Sequence, residues 1–250
     1  MNPDQIDDFV DSRLSKTAIS LPSSGIRKFF DLASSMEDVV SLGVGEPDFH
    51  TPWVARENAV YSIERGHTTY TSNQGLLSLR EKIAERFKKL YEVDYEPASE
   101  LIIAVGVSQG LDLCMRALLD PLDEVLIPEP CFVAYKPLVT LAGGVAVTVP
   151  TGQETGFSFS IEQLEEKLSE RTKAVLIGNP SNPTGTSLTE ELLEKLVRFA
   201  QSNRLFIISD EIYDRLNYDR KHTCIASIPG GKNCSIVLNG FSKTYAMTGW

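Results

Sequence analysis

Lys243 is the residue of this chain whose surroundings best suit covalent chemistry. It follows the apolar run Ile236-Val237-Leu238 and stands between Ser242 and Thr244. A lysine just past a hydrophobic strand, among small residues, can hold an aldehyde cofactor as a Schiff base. The same string is also typical of a surface turn, so the other polar residues of the chain have to decide between the two interpretations.

Three further groups stand where predicted strands end. Gly106-Val107-Ser108, the segment 179–185 and Asp210 each come directly after a short apolar run, as the segment that carries Lys243 does. In an open parallel sheet, ligands bind beyond the carboxyl ends of the strands. Residues that lie far apart in the sequence are therefore predicted to converge on one edge of a sheet and to form a single site there.

Each of these groups has a structural and a chemical interpretation. The exposed N–H groups of Gly106-Val107-Ser108 could hold a phosphate at a helix N-terminus, or Ser108 could simply cap that helix. The segment 179–185 contains two Asn-Pro steps, which predict a rigid turn and could also fix a side-chain amide toward a ligand oxygen. Asp210 could cap the next helix or pair with a buried cation, and Tyr213 would lie near it if a helical turn begins there.

The elements that must position these groups alternate along the chain from about residue 46. Short apolar runs predict strands at 101–105, 125–127, 145–149, 173–178, 205–209 and 235–239. Amphipathic spacing or capping residues predict helices over 75–91, 109–119, 160–169 and 187–202, with capping boxes at Ser160/Gln163 and Ser187/Glu190. This alternation predicts an α/β fold with a mostly parallel sheet and helices on both of its faces.

Composition excludes several classes of function. The formal net charge of the 250 residues is -10, which argues against a nucleic-acid surface. No run of about 18 apolar residues predicts a membrane span, and the acidic start does not predict a secretory signal. The four cysteines lack C-x-x-C spacing and there are three histidines, so neither a metal site nor a disulfide framework is expected. The composition favours a cytoplasmic protein with reduced thiols.

Taken together, these strings resemble the class I/II pyridoxal-phosphate-dependent aminotransferases of fold type I. The resemblance rests on the segments 43–49, 70–75, 179–185, 209–213 and 242–250, which occur in the family's order at familiar spacing. It implies a cofactor-binding large domain over 46–250, incomplete at its C-terminal end, preceded by an N-terminal arm or part of a small domain over 1–45. The expected cofactor is pyridoxal 5'-phosphate.

The resemblance also implies roles for the residues that do the chemistry. Lys243 would form the Schiff base with the cofactor and then move the proton between the substrate α-carbon and the cofactor. Asp210 would pair with the pyridinium nitrogen and keep it protonated, so that the ring can accept carbanion electrons. Asn182 and Tyr213 would hydrogen-bond the phenolic oxygen of the cofactor.

Other residues would bind the cofactor or the substrate. The resemblance implies that Phe132 stacks on the pyridine ring, and that the amides of Val107 and Ser108, with the Ser108 hydroxyl, hold the phosphate. Tyr70 would reach the phosphate of a neighbouring subunit, which implies a homodimer with shared active sites. Gly45 would meet the substrate carboxylate with its backbone, where a side chain would block the approach.

The chain departs from the family pattern in two respects. Many relatives carry a serine where Gly240 stands, and its hydroxyl adds a phosphate contact that Gly240 does not have. The family pattern also continues after 248–250 with an arginine that binds the phosphate, then with the rest of the large domain and a small domain that contains a second, substrate-binding arginine. The chain is therefore expected to be an N-terminal part of such an enzyme, without the C-terminal small domain.

The expected reaction is the transfer of an amino group from an L-amino acid to a 2-oxo acid in a ping-pong cycle. Two alternatives stay open: another fold-type I enzyme, such as a C–S lyase or a synthase, and an inactive fragment with no catalysis of its own. A DNA-binding regulator with an aminotransferase-like domain is disfavoured, because the first 40 residues are too short for a DNA-binding domain and lack a basic helix.

Overall fold

The structure is a computed structural model that describes residues 12–22, 32, 36, 38–40, 45–218 and 220–250. Most of the predicted N-terminal arm lies outside these residues, as do positions 43 and 44 of the 43–49 segment. In the described part of the arm, Lys16–Ser20 forms a short helix, which Ser15 caps by accepting from the Ala18 amide.

One sheet of parallel strands forms the centre of the described part. Its strand order is β2-β1-β3-β4-β5, and all four pairings are parallel. The strands are β1 (Glu124–Glu129), β2 (Val145–Pro150), β3 (Thr172–Gly178), β4 (Phe206–Asp210) and β5 (Ser235–Leu238). They confirm the strands predicted at 125–127, 145–149, 173–178, 205–209 and 235–239.

Helices lie before the first strand, between the strands and after the last strand. They are α1 (Lys16–Ser20), α2 (Trp53–Glu64), α3 (Leu77–Tyr91), α4 (Gly106–Leu118), α5 (Tyr135–Leu141), α6 (Ile161–Glu165), α7 (Glu190–Asn203), α8 (Gly231–Cys234) and α9 (Phe241–Thr244). The predicted helices over 75–91, 109–119 and 187–202 correspond to α3, α4 and α7. Among the described residues, no helix is long and apolar enough to cross a membrane.

Successive strand residues face opposite sides of the sheet and pack against different helices. Val125 and Ile127 belong to the cluster that contains Leu111 of α4 and Val139 of α5. Leu126 belongs to the cluster formed with side chains of α6 and α7. A parallel sheet buried on both sides needs apolar residues at every position, which explains the continuous apolar runs. The predicted α/β fold with helices on both faces is thus confirmed.

The predicted strand at 101–105 is wrong. Residues 101–104 have no strand conformation, and the Ile103 amide donates to the carbonyl of Gln74 at 3.0 Å rather than to a strand of the sheet. Ile102 and Val105 are exposed. An apolar run is necessary for a buried strand, but a strand also needs a neighbour whose backbone completes its hydrogen bonds, and hydropathy does not report that neighbour.

One predicted capping box is present and the other is not. The Ser160 amide donates to Gln163 Oε1 at 2.9 Å and the Gln163 amide donates to Ser160 Oγ at 3.3 Å, although α6 ends at Glu165 rather than near 169. The box at Ser187/Glu190 is wrong, because α7 begins two residues later and Thr189 is its cap. Thr189 Oγ1 accepts from the Leu192 amide at 3.2 Å, while Ser187 Oγ is buried without a hydrogen-bond partner among the described residues.

Exchange of these two hydroxyl residues for alanine tests the position of the cap. Thr189→Ala should lower the free energy of unfolding by about 1 kcal/mol, because it leaves a helix amide without its acceptor. Ser187→Ala should be neutral or slightly stabilising, because it removes a buried hydroxyl that has no partner. Urea denaturation of both variants measures the difference, and a larger loss in Ser187→Ala would place the cap where the sequence predicted it.

Candidate active site

The register of the sheet brings the ends of three strands to one edge. Gly178 at the end of β3 pairs with Asp210 at the end of β4, and Asp210 pairs with Leu238 at the end of β5. The segments that follow β3 and β5 therefore leave the sheet on either side of Asp210. Three of the four polar groups predicted to converge lie at or just after these adjacent strand ends: the segment 179–185, Asp210 and Lys243.

The Asn-Pro segment forms a turn that is held by the buried side chain of its first residue, Asn179. Asn179 is 1% exposed, and its Oδ1 accepts from the Leu188 amide at 3.0 Å while its Nδ2 donates to the Thr223 carbonyl at 3.4 Å. Both Asn-Pro peptide bonds are cis. Asn182, farther along the turn, donates from Nδ2 to the Tyr213 hydroxyl at 3.4 Å. The turn thus brings together the two side chains to which the family resemblance gave one shared role.

Asp210 is a buried acid at the centre of this edge. It is 6% exposed; its Oδ2 accepts from the Tyr135 hydroxyl at 2.9 Å and its Oδ1 from the Ile212 amide at 3.2 Å. Burial raises the pKa of Asp210 to about 6, against the two hydrogen bonds, which lower it, and with a smaller upward contribution from the charge of Glu211. Among the residues that the structure describes, no cation forms an ion pair with Asp210.

Tyr135 is a site residue that the sequence reasoning missed. It is 3% exposed in α5, its ring lies edge-on to Phe132 with centroids 5.7 Å apart, and its hydroxyl reaches Asp210. A Cβ on Gly178 would lie 3.1 Å from that hydroxyl, so the glycine leaves room for it. The available signal was the tyrosine itself, because a buried tyrosine usually needs a hydrogen-bond partner.

The N-terminus of α4 lies beside the segment that follows β5. A Cβ on Gly110 would lie 3.0 Å from Leu238 Cδ2, and one on Gly240 would lie 4.0 Å from Val107 Cγ2. Ser108 does not cap α4, because the cap residue is Val105 and no side chain caps the helix. Ser108 is exposed in the first turn, where amides have no partner within the helix.

Gly240 is also close to the side chain of Ile212. A Cβ at this position would lie 2.9 Å from Ile212 Cδ1, which is closer than real Cβ atoms approach. A serine at this position, which many relatives carry, would need Ile212 to shift. The glycine thus allows the segments that follow β4 and β5 to pack closely.

Lys243 lies in the four-residue helix α9 and reaches the segment that starts at Gly45. Its Nζ donates to the Gly45 carbonyl at 2.6 Å. Further hydrogen bonds join the same two segments: Thr51 Oγ1 donates to the Ala246 carbonyl at 2.5 Å, and Thr248 Oγ1 donates to Glu46 at 3.1 Å. The structure thus brings Gly45 to the predicted catalytic lysine. Tyr70, in contrast, is fully exposed and contacts none of these side chains.

Two more buried carboxylates follow Asp210, and the sequence reasoning assigned neither a role. Glu211 is 0% exposed and accepts from His222 Nε2 at 2.7 Å, Ser209 Oγ at 2.9 Å and the Ile225 amide at 2.9 Å. These bonds fix the segment between β4 and the turn at Ile225–Ser227. Their signal in the sequence, an acid and a histidine eleven positions apart, is too common to be specific.

Asp214 is the third buried carboxylate, and it is 2% exposed. It accepts from Arg86 at 2.9 Å and from the Tyr91 hydroxyl, both in α3, and from Thr244 Oγ1 in α9 at 3.1 Å. Burial alone would raise the pKa of Asp214, but the hydrogen bonds from Tyr91 and Arg86 and the charge of Arg86 hold it below the ordinary aspartate value.

Comparisons with known proteins give one consistent family. The sequence pattern of the family described as aminotransferase class I and II matches residues 37–250. A protein of Bacillus subtilis named "Putative aminotransferase YugH" is 50% identical over 239 residues, covering 96% of this chain and 62% of that protein. The aromatic-amino-acid aminotransferase 2 of Thermococcus litoralis is 46% identical, covering 91% of this chain and 59% of that protein.

A solved structure agrees in fold. The crystal structure of an aspartate aminotransferase from Thermotoga maritima superimposes with a TM-score of 0.91 at 40% identity, covering 95% of this chain and 64% of that one. This chain therefore spans about three-fifths of the length of the relatives that it matches.

The burial of Asp210 predicts a pH dependence of stability in the chain freed of bound small molecules. The folded chain holds the Asp210 proton more tightly than the unfolded chain, so the free energy of unfolding should fall as the pH rises through the range between 3.8 and about 6. Asp210→Asn removes the titrating group, so the stability of the variant should not fall in this way. The difference in free energy of unfolding, variant minus native chain, should therefore increase by up to ~3 kcal/mol between pH 4 and pH 7.

Denaturant unfolding at a series of pH values measures this difference. Tyr135→Phe provides a matched comparison, because it removes a hydrogen bond that favours the charged form of Asp210 and should extend the loss of stability to higher pH. A difference between Asp210→Asn and the native chain that stays constant from pH 4 to pH 7 would show that Asp210 titrates as an ordinary solvated acid.

Proposed function

We propose, from the premise that this chain belongs to the class I and II aminotransferase family, that it carries the cofactor-binding part of a pyridoxal-phosphate-dependent aminotransferase. The family match confirms the resemblance predicted from the sequence. The observation that carries the proposal is the position of Asp210: a buried acid without a cationic partner among the described residues, at the same edge of the sheet as the segment of Lys243.

The residues at this edge fit pyridoxal phosphate by their chemistry. Asp210 is an acceptor in a dry position, which suits a positively charged ring nitrogen. The amide of Asn182 and the hydroxyl of Tyr213, 3.4 Å apart, can both bond to one ligand oxygen. The first turn of α4 offers the Val107 and Ser108 amides to a phosphate.

A bound pyridoxal phosphate supplies an aldehyde carbon that bonds to amines and a ring that accepts the electron pair of a broken C–H bond. Lys243 Nζ would be the attachment point and would then carry the proton taken from the α-carbon. Asp210 would hold the proton on the ring nitrogen, since a carboxylate beside a positive charge in a dry site is strongly favoured. Phe132 would cover one face of the ring and exclude water from it.

The proposed reaction has two balanced halves. In the first, an L-amino acid would be oxidised to a 2-oxo acid as it gives up its nitrogen, and Lys243 would take the α-proton. In the second, a different 2-oxo acid would be reduced to an amino acid as it takes that nitrogen, and Lys243 would return a proton, which would make the cycle ping-pong. The relatives are named for aromatic amino acids and for aspartate, so we propose an amino acid and a 2-oxo acid as the substrate classes and assign no single substrate.

We also propose a homodimer with shared sites. Tyr70 is fully exposed and contacts no side chain of its own site, as expected for a residue whose hydroxyl serves the phosphate of a second copy.

Gly45, whose carbonyl accepts from Lys243, would face the substrate carboxylate, and a Cβ there would meet no atom within 4 Å. The space beside Gly45 is thus open to a ligand.

Reduction with borohydride in the presence of pyridoxal phosphate tests the cofactor assignment. The label should map to the peptide that contains Lys243, because the segment of this lysine follows β5 at the edge of the sheet where β4 ends in Asp210. Lys243→Arg should abolish this label. Lys221→Arg, at an exposed lysine outside the site, should leave it unchanged. A folded sample labelled equally on several exposed lysines would refute the assignment.

The reaction type is tested with an amino acid supplied alone to the chain loaded with cofactor. Aspartate and phenylalanine are suitable probes because of the names of the relatives. A transaminase should form at most one 2-oxo acid per bound cofactor and release no ammonia. Ammonia released in excess of the bound cofactor would identify a lyase instead, and no product from any amino acid would favour an inactive fragment.

A further inference from the structure

The helix that carries Lys243 has little apolar anchoring of its own. Helix α9 spans Phe241–Thr244 and contains no buried residue, and β5 before it is only partly buried. Its position therefore depends on polar contacts. Just after α9, Ala246 and Thr248 are hydrogen-bonded to residues of the segment 46–51, and this segment is itself mostly exposed. One contact of α9 leads instead to the interior of the protein.

That contact is the hydrogen bond from Thr244 to Asp214. Thr244 directly follows Lys243, and its Oγ1 donates to Asp214 Oδ1 at 3.1 Å. The side chain of Asp214 is 0% exposed, and its other oxygen is held by Arg86 and Tyr91. Hydrogen bonds to a buried carboxylate are stronger than neutral ones in water, because little solvent competes for the acceptor.

Helix α3, which supplies these donors, is firmly packed. Phe87 and Tyr91 belong to a buried cluster with Val93, Cys224 and Ala226, and Phe87 lies edge-on to Tyr91 with ring centroids 5.4 Å apart. The donors to Asp214 therefore come from a helix whose position the core determines. A continuous set of contacts runs from this core through Arg86 and Tyr91 to Asp214, and from there to the residue beside the lysine.

We infer that Asp214 is a positioning residue for Lys243: through Thr244 it holds α9 so that the lysine amine stays at the Gly45 carbonyl. The role rests on the proposed function, because the position of the amine matters only if Lys243 reacts. Asp214 itself touches neither the amine nor any group that the proposal assigns to the cofactor.

The direct substitution of Asp214 or Arg86 is a poor test. Either change would leave the other charge buried without its partner, which destabilises the whole fold. Thr244→Val is sharper, because it removes only the hydroxyl and keeps the shape of the side chain and the Arg86–Asp214 pair. Thr244→Ser keeps the hydroxyl and should restore the native behaviour. Thr189→Ala, at the distant cap of α7, serves as a control with a similar loss of stability.

The measurement is competitive acetylation of the cofactor-free chain with mass spectrometry of the lysine peptides. Thr244→Val should raise the acetylation rate of Lys243 relative to exposed Lys221 about fivefold, as expected when one hydrogen bond no longer holds α9 in place. Thr244→Ser and Thr189→Ala should both show the native ratio. The ratio separates a local release of Lys243 from a general loss of stability, which would also raise the reactivity of half-buried Lys232.

The outcomes separate this inference from the proposed function. An unchanged ratio in Thr244→Val, or an equal rise in Thr189→Ala, would overturn the positioning role of Asp214 even if Lys243 takes the cofactor label. A native chain whose Lys243 takes no cofactor label would overturn the proposed function, and with it the catalytic meaning of the positioning. A fivefold rise that Thr244→Ser reverses supports the inference.

Discussion

The parallel register of β3, β4 and β5 is the constraint on which the site depends. Because Gly178, Asp210 and Leu238 are paired across the three strands, the chain leaves the sheet three times at nearly the same height. Every group brought to this edge, the Asn-Pro turn, the carboxylate and the lysine segment, takes its position from backbone pairing rather than from its own neighbours in the sequence. That pairing is stabilised on both faces by apolar clusters, so the stability of the core and the geometry of the site have the same origin.

The segment after β4 adds a second constraint, since it buries three carboxylates within five residues. A buried charge is tolerated only where donors surround it, and each acid recruits a different part of the molecule. Asp210 is hydrogen-bonded to Tyr135 of α5, and Glu211 to His222. Asp214 is hydrogen-bonded to α3 and α9. Asp210 alone has no cationic or imidazole partner among the described residues. This difference supports the proposal that Asp210, rather than its two neighbours, pairs with the charged ring of the cofactor.

The sequence predicted the local and repetitive features of this structure and missed the long-range ones. Apolar runs located β1 to β5, and strand ends indicated that the segments of Asn182, Asp210 and Lys243 leave the sheet at one edge, because these features follow from composition and periodicity within a few residues. The hydrogen bonds from Tyr135 to Asp210 and from Arg86 to Asp214 join residues 75 and 128 positions apart, and a single sequence contains no signal for such pairs. The strand expected at 101–105 failed for the same reason, since its partner, not its own hydropathy, decides whether it forms.

The two halves of the site are held in different ways, and the proposed chemistry explains the difference. Asp210 ends a strand of the sheet and is enclosed by the core, as suits a group that must keep one position relative to a ring. Lys243 lies on a short helix without a buried residue, as suits an amine that has to bond to a carbon, leave it and carry a proton back. An amine with this task cannot be fixed by apolar packing around its own side chain. In the role inferred for Asp214, the hydrogen bond from Thr244 to this carboxylate holds α9, while a separate hydrogen bond holds the amine at the Gly45 carbonyl and can be given up when the lysine reacts.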